Sequence, residues 1–135
     1  MLFKQVALES DPIVIPSGQR QRLGNLTINC QEESSGPALI MFNGNFYLDG
    51  CTDHQDQGVV FSVFLDEYEI GRSMYSFPYE ERKNGCMPIS IVTASSISSD
   101  CSIPIYVTCQ VYGKDVQAVI NYGVLSLVYC KQCNS

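Results

Sequence analysis

Short runs of strand-forming residues, interrupted by turn-forming residues, constrain what this chain can fold into. Runs of roughly five to nine residues rich in Val, Ile, Tyr, Phe, Thr and Ser are separated by clusters of Gly, Asn, Asp and Pro. No helical period persists beyond about two turns. The 135 residues are enough for one core. We therefore predict a single all-β domain over residues 1–135, with residues 1–12 as a short strand or an N-terminal arm.

The runs number about eight to ten and have short connections, which is typical of a two-sheet antiparallel sandwich with a jelly-roll-like arrangement. The clearest local pattern is Asn43-Gly44, which lies between the apolar runs Ala38–Phe42 and Asn45–Leu48. Because Asn and Gly both tolerate positive φ, this dipeptide predicts a tight type I′ hairpin.

Alternation of apolar and polar residues within the runs predicts which side chains point inward. A strand with one buried face places every second residue in the core. The predicted core residues, each on the apolar phase of its run, are Phe61, Val63, Leu65, Ile89, Ile91, Val107, Val111, Leu125 and Leu127.

Two C-terminal runs carry apolar or aromatic residues on both faces. In Ile103–Tyr112, two Tyr and one Thr occupy positions that face away from the predicted core, and in Val124–Tyr129 two Val do so. An apolar outer face of a sandwich typically packs on another subunit, although burial under a loop would give the same pattern. The predicted oligomer-interface residues are Tyr106, Thr108, Tyr112, Val124 and Val128.

The charge balance limits the expected partners. The chain has 8 Lys and Arg against 14 Asp and Glu, a net charge of −6. Phosphate backbones and anionic lipids attract basic surfaces, so neither nucleic acid nor a membrane is an expected partner. No segment reaches the roughly 20 apolar residues of a membrane helix. The first eleven residues lack the apolar stretch of a secretory signal.

Seven Cys residues point to an oxidising destination, whereas the missing secretory signal points to synthesis without export. A particle assembled in a cytosol and released later would satisfy both observations, as would a trimmed form of a secreted protein. Because seven is odd, at least one thiol is free or bonded to another chain. Buried free thiols that act as small apolar side chains are the alternative to disulfides. The disulfide candidates are Cys30, Cys51, Cys86, Cys101, Cys109, Cys130 and Cys133.

Two motifs resemble metal or redox sites, but neither has the required spacing. Loop 49–56 contains three Asp and the only His of the chain, His54, without the ligand spacing of a calcium loop, and is better interpreted as a solvated acidic loop. Cys130-Lys-Gln-Cys133 follows a predicted strand rather than opening a helix, and no second close Cys pair completes a zinc site. No phosphate loop or nucleophile elbow is present. We therefore expect no metal, no cofactor and no enzymatic activity.

The stretch Gly58–Ser73 resembles a pattern found in small virion-surface domains of tailed phages. A strand ending in Leu65-Asp66 turns into a strand containing Ile70-Gly71, and a Met-Pro-Ile-Ser-Ile strand follows at Met87–Ile91. Glu67 stands where the pattern usually has a turn Gly. The resemblance, which covers residues 58–129, implies a trimeric jelly roll similar in fold to the tumour-necrosis-factor family. It also implies a final hairpin over Ile103–Tyr129 that runs along the trimer axis.

This resemblance implies a non-enzymatic structural protein on the virion surface, either a capsid decoration (cement) protein or a fibre domain. Its expected partners are further copies of the chain in a homotrimer and other virion proteins, such as a major capsid protein. One alternative is a carbohydrate- or receptor-binding module at a fibre tip, with Tyr47, Tyr68, Tyr75 and Tyr79 as candidate platforms. The other is a secreted cytokine-like trimer.

Overall fold

The computed structural model describes residues 2–8, 12–28, 36–50, 57–77, 86–97 and 103–129. These residues form strands and turns, with no helix among them. The nine strands are β1 (Leu2–Ala7), β2 (Ile13–Pro16), β3 (Arg20–Ile28), β4 (Gly36–Gly50), β5 (Gln57–Leu65), β6 (Tyr68–Phe77), β7 (Met87–Ile97), β8 (Ile103–Tyr112) and β9 (Val116–Tyr129).

The chain pairs with itself as one long antiparallel hairpin whose tip is the turn at Asp66 and Glu67. Strands that lie equally far from this turn along the chain pair with each other: β5 with β6, β4 with β7, β3 with β8, and both β1 and β2 with β9. Asp66 has a φ of 56°. An Asp residue adopts this left-handed conformation more readily than most non-Gly residues, so the tight turn forms without a Gly at position 67.

Two further pairings, β4 with β9 and β5 with β8, roll this hairpin into two sheets. Sheet A has the order β1-β9-β4-β7, with β2 also paired to β9, and sheet B has the order β3-β8-β5-β6. The two antiparallel sheets pack face to face, as in a jelly roll. This confirms the predicted all-β sandwich. The hairpin implied over Ile103–Tyr129 is wrong, because β8 and β9 lie in different sheets and do not pair with each other.

The core lies between the sheets and contains most of the residues that alternation predicts. Eight of the nine predicted core side chains are buried, whereas Leu65, at the end of β5, is only partly buried. Two aromatic residues that the alternation argument did not include, Phe46 and Tyr75, form a cluster with Phe61. The Phe46 ring is 5.2 Å from that of Phe61 and 5.0 Å from that of Tyr75, both in edge-to-face geometry.

Asn43-Gly44 does not form the predicted hairpin. The dipeptide lies inside β4, which runs without a break from Gly36 to Gly50. A β-bulge in β9 next to this position shifts the register from Asn45↔Tyr122 to Phe46↔Ile120. A Cβ atom on Gly44 would overlap the carbonyl oxygen of Tyr122. Glycine is therefore required here for close backbone approach rather than for a turn.

Candidate functional site

The five residues predicted to form one oligomer interface lie on two opposite outer faces. Tyr106, Thr108 and Tyr112 alternate with the buried residues of β8, so they face outward on sheet B. Val124 and Val128 alternate with the core residues of β9 and lie on the outer side of sheet A, although Val124 itself is only 8% exposed. Because the sheets pack through the core, these outer faces point in opposite directions. The structure therefore does not bring the five residues together into a single patch.

The outward tyrosines of β8 have neighbours within the chain itself. The ring of Tyr106 stacks on that of Phe64, with centroids 5.1 Å apart and planes 6° apart. The guanidinium of Arg22 lies 3.7 Å above the Tyr106 ring, in a cation–π contact. Tyr112 is 50% exposed at the end of the strand. The chain's own side chains thus explain part of the aromatic character that the sequence attributed to a subunit contact.

The outer face of sheet A is broad and almost without charge, and it mixes apolar side chains with uncharged polar ones such as Asn43, Ser90 and Ser126. The exposed large apolar side chains on this face are Phe3, Val14, Leu39, Val92 and Tyr122. The register places Phe3 beside Val128, Val128 beside Leu39, and Leu39 beside Ala94, in one row across four strands. Among the outward positions of its described strands the only charged residue is Asp49, at the far end of β4, which accepts a hydrogen bond from Gln117 at 3.2 Å. We call this surface the uncharged face.

The outer face of sheet B has the opposite character. The register places Arg22, Thr108, Ser62 and Arg72 side by side in one row across β3, β8, β5 and β6. In the next row, Arg20 donates from Nε to Thr108 Oγ1 at 3.4 Å, and its guanidinium lies 4.7 Å from the centre of the Phe64 ring. Three of the five Lys and Arg residues that the structure describes therefore lie on this surface. We call it the arginine face.

One carboxylate, Glu69, occupies an outward strand position on the described part of the arginine face. Arg72 donates to both of its oxygens, from Nε at 2.9 Å and from Nη2 at 2.8 Å. Hydrogen bonds from Arg72 and Ser62 hold the pKa of Glu69 below its usual value, and the same pair raises the pKa of Arg72. Glu69 also lies close enough to Arg20 for the two charges to interact. Three arginines against one carboxylate nevertheless leave the face positive on a chain whose net charge is −6.

A hollow of about 180 Å³ opens on the arginine face. The side chains of Ser62 and Thr108 are 4% and 8% exposed, respectively. The polar and aromatic side chains that line the hollow are those of Arg20, Ser62, Arg72, Thr108, Gln110 and Tyr112. Guanidinium groups bind carboxylate, sulfate and phosphate, while hydroxyl and amide groups can exchange hydrogen bonds with a neutral polar ligand. The arrangement is therefore suited to holding a small anionic molecule.

Sequence reasoning missed the arginine face because the apolar residues of β3 begin at Leu23, after Arg20 and Arg22. The spacing of these two arginines would have revealed the face. Residues two apart in a strand point to the same side, so an earlier start of β3 would have placed both on one surface. The pairing of Arg72 with this surface depends on the order of strands in sheet B, which no local pattern reports.

Two of the seven disulfide candidates lie in the described part of the chain, and both are free thiols. Cys109 is fully buried on the inner face of β8, and burial raises its pKa to about 12. Cys86 is exposed, and its sulfur is 3.4 Å from the Asn121 side-chain nitrogen. The remaining candidates, Cys30, Cys51, Cys101, Cys130 and Cys133, lie outside the described residues.

The described residues also include part of the acidic loop 49–56. Asp49 ends β4 and binds Gln117, while the loop beyond Gly50, including His54, lies outside the described residues. Within the described ranges, no three His, Cys, Asp or Glu residues are grouped closely enough to hold a metal ion.

None of the described segments forms a helix long and apolar enough to span a membrane. Comparison of the sequence with models of known protein families and with curated proteins finds no match. The functional conclusions below therefore rest on the two outer faces.

Proposed function

We propose that the protein is a non-enzymatic structural protein of a virus particle, a capsid decoration or fibre domain that assembles as a homotrimer through its uncharged face. The observation that carries this proposal is the character of that face. Five exposed large apolar side chains lie on one sheet, with a single charged residue at its margin. Exposed large apolar side chains gathered on one nearly uncharged sheet are typical of a surface that a partner covers.

The size of the uncharged face suits a subunit contact. Four strands spaced about 4.8 Å apart, over roughly ten residues of about 3.4 Å each, span roughly 600 Å². A standard protein interface buries about 800 Å² from each partner. The flat sheet, together with the side chains that project from it, approaches this value for one contact. In a trimer each subunit contacts two neighbours, so the face would be shared between two smaller contacts.

Charge favours a second copy of this chain as the occupant of the uncharged face. Each copy carries a net charge of −6, so two copies repel each other through most of their surfaces. The uncharged face is the part that another copy can approach without bringing like charges together. The three-fold arrangement and the virion location are what the resemblance of residues 58–129 to tailed-phage domains contributes.

The proposed interface includes part of the set predicted from sequence. Val128, which is partly exposed, belongs to the uncharged face and remains in the interface, whereas Val124 is only 8% exposed and offers a partner little surface. Tyr106, Thr108 and Tyr112 face the other way and are excluded from it. In place of those three residues, the proposed interface includes Phe3, Leu39 and Val92 from other strands of sheet A. Their side chains are 56%, 38% and 61% exposed, respectively.

Native mass spectrometry and sedimentation velocity at micromolar concentration test the assembly. The wild-type chain is expected as a trimer, both with and without reductant, since the contact is non-covalent. Val92→Asp places a charge on β7, at the most exposed of the five large apolar side chains of the uncharged face, and should give a folded monomer. Met74→Asp is the matched control, because Met74 is 65% exposed on the opposite sheet. A monomeric wild type, or equal effects of the two variants, would refute the interface.

The virion assignment has its own test. Purified particles from a culture that expresses the gene should contain the protein in a fixed ratio to the major capsid protein. A trimer that is absent from particles would leave the interface intact and contradict the virion role. Secretion of the trimer into the medium would instead support the cytokine-like alternative.

A further inference from the structure

We infer that the hollow on the arginine face is a binding site for a negatively charged sugar residue. Its acid group would lie between Arg20 and Arg72, and its ring would lie against Tyr112. This inference goes beyond the assembly proposed above and does not depend on it, because the two faces are on opposite sides of the sandwich.

The two arginines that line the hollow have donor groups beyond those used within the chain. Arg72 binds Glu69 through Nε and Nη2, and its side chain is 53% exposed. Arg20 donates to Thr108 through Nε alone. A guanidinium has five N–H donors in a planar fork, so the terminal nitrogens of both side chains can bind a ligand oxyanion.

Residues between the arginines suit the rest of a sugar. Ser62 and Thr108 place two hydroxyls, and Gln110 an amide, where they line the hollow. The two hydroxyls are nearly buried and already bind Glu69 and Arg20, so they mainly hold those two side chains in place. The Gln110 amide can both donate and accept hydrogen bonds, as sugar hydroxyls require. The half-exposed ring of Tyr112 offers an apolar surface for the C–H face of a sugar ring.

The dimensions favour a single charged residue over a polymer. A hollow of about 180 Å³ is smaller than the roughly 300–1,000 Å³ of pockets that enclose drug-sized ligands. It accommodates about one sugar ring. A nucleic acid would require a continuous basic track to overcome the net charge of −6, and the described residues of this face supply three arginines only.

A titration with three defined oligosaccharides tests the site. The probes are 3′-sialyllactose, which carries a carboxylate, 3′-sulfated lactose, which carries a sulfate, and lactose, which is neutral. Binding is measured by isothermal calorimetry and by ligand-observed NMR at low salt. We expect at least one acidic probe to bind about tenfold or more tightly than lactose. Whichever acidic probe binds more tightly identifies the acid group.

Single substitutions locate the site. Arg20→Gln should weaken binding of the acidic probe about tenfold or more, and Tyr112→Ser should weaken it about threefold or more. Lys114→Gln, which removes an exposed cation in the turn between β8 and β9, is the matched control and should leave binding within about twofold of wild type. All three variants should keep a cooperative thermal melt, because the altered side chains are on the surface.

Several outcomes would overturn the inference. These are equal binding of lactose and the acidic probes, an unchanged affinity in Arg20→Gln, tighter binding of a glutamate-rich peptide than of either acidic probe, and no saturable binding below about 10 mM. The Val92→Asp variant separates this site from the proposed assembly. It should bind the acidic probe as wild type does even though it is expected to be monomeric.

Discussion

Cys109 illustrates how burial changes the chemistry of a single side chain. It lies fully buried on the inner face of β8, and desolvation raises the pKa of its thiol from 9.0 to about 12. A thiol with this pKa remains protonated and is a poor nucleophile at neutral pH. It therefore acts as a small apolar side chain in the core. For this residue, the free-thiol alternative describes the structure and a disulfide does not.

The raised pKa of Cys109 predicts how stability depends on pH. Below pH 9 both the native and the unfolded thiol are protonated, so Cys109 makes no pH-dependent contribution. Above pH 9 the unfolded thiol loses its proton while the native thiol keeps it, and native stability falls by about 1.4 kcal/mol per pH unit. Urea unfolding in reductant should show the wild-type free energy, relative to Cys109→Ala, falling by about 1.4 kcal/mol between pH 8 and pH 10. A pH-independent difference would contradict the raised pKa.

At the scale of the strands, the unequal burial of two leucines predicts that truncating each of them to Ala will reduce the free energy of unfolding by different amounts. Leu127 is fully buried in β9, so Leu127→Ala should reduce the free energy of unfolding by roughly 2–5 kcal/mol. Leu65 is partly buried beside the tip turn, so Leu65→Ala should cost less than about 2 kcal/mol. Urea denaturation of both variants in the Val92→Asp background keeps the oligomeric state constant. Equal costs would show that the two positions are equally packed.

The contact between β4 and β9 at Gly44 predicts a severe effect of adding a single methyl group. A Cβ atom there would overlap the Tyr122 carbonyl, and backbone atoms cannot rotate away as a side chain can. Gly44→Ala should therefore destabilise the protein by roughly 2–4 kcal/mol or prevent folding. Gly58→Ala in β5 is the matched control, because its nearest neighbour would be 3.3 Å away, and it should change stability by less than about 1 kcal/mol. A mild effect at both positions would mean that the strands can separate at the bulge.

Local alternation explains why the core was predictable and the strand order was not. Phe61 and Val107 lie in runs in which every second residue is apolar, so their inward orientation can be predicted from the sequence. The bulge near Asn121 breaks this period: Ile120 and Leu125 are both buried, although they are five residues apart. An Asn-Gly pair is compatible with a turn and with close backbone approach, and only the neighbouring strand decides between them.

The candidate site was less predictable than the core, for a physical reason. A surface becomes a site when residues from distant parts of the chain share one face. Arg22 and Arg72 are fifty residues apart in sequence, but the order β3-β8-β5-β6 places them at the two ends of one row. Similarly, β8 and β9 are consecutive strands with similar patterns, and only their long-range pairing assigns them to different sheets.

For the molecule as a whole, the most informative property is the contrast between its two outer faces. Sheet A presents apolar side chains with one charge at the margin, and sheet B presents three arginines with one carboxylate. The net charge of −6 therefore lies mainly elsewhere on the chain. This separation allows one face to contact other copies while the opposite face remains accessible to a small anionic ligand.

The uncharged face predicts how salt and protein concentration act on assembly. Bringing together copies that each carry −6 is opposed by repulsion, which salt screens, whereas the apolar contact has no ion pairs to lose. Raising NaCl from 50 to 500 mM should therefore shift sedimenting wild-type protein towards the trimer. Because only the folded chain assembles, its melting temperature should also rise with protein concentration. Met74→Asp should retain both dependences and Val92→Asp should lose both. Dissociation at high salt would mean that ion pairs hold the subunits together, which the uncharged face could not provide.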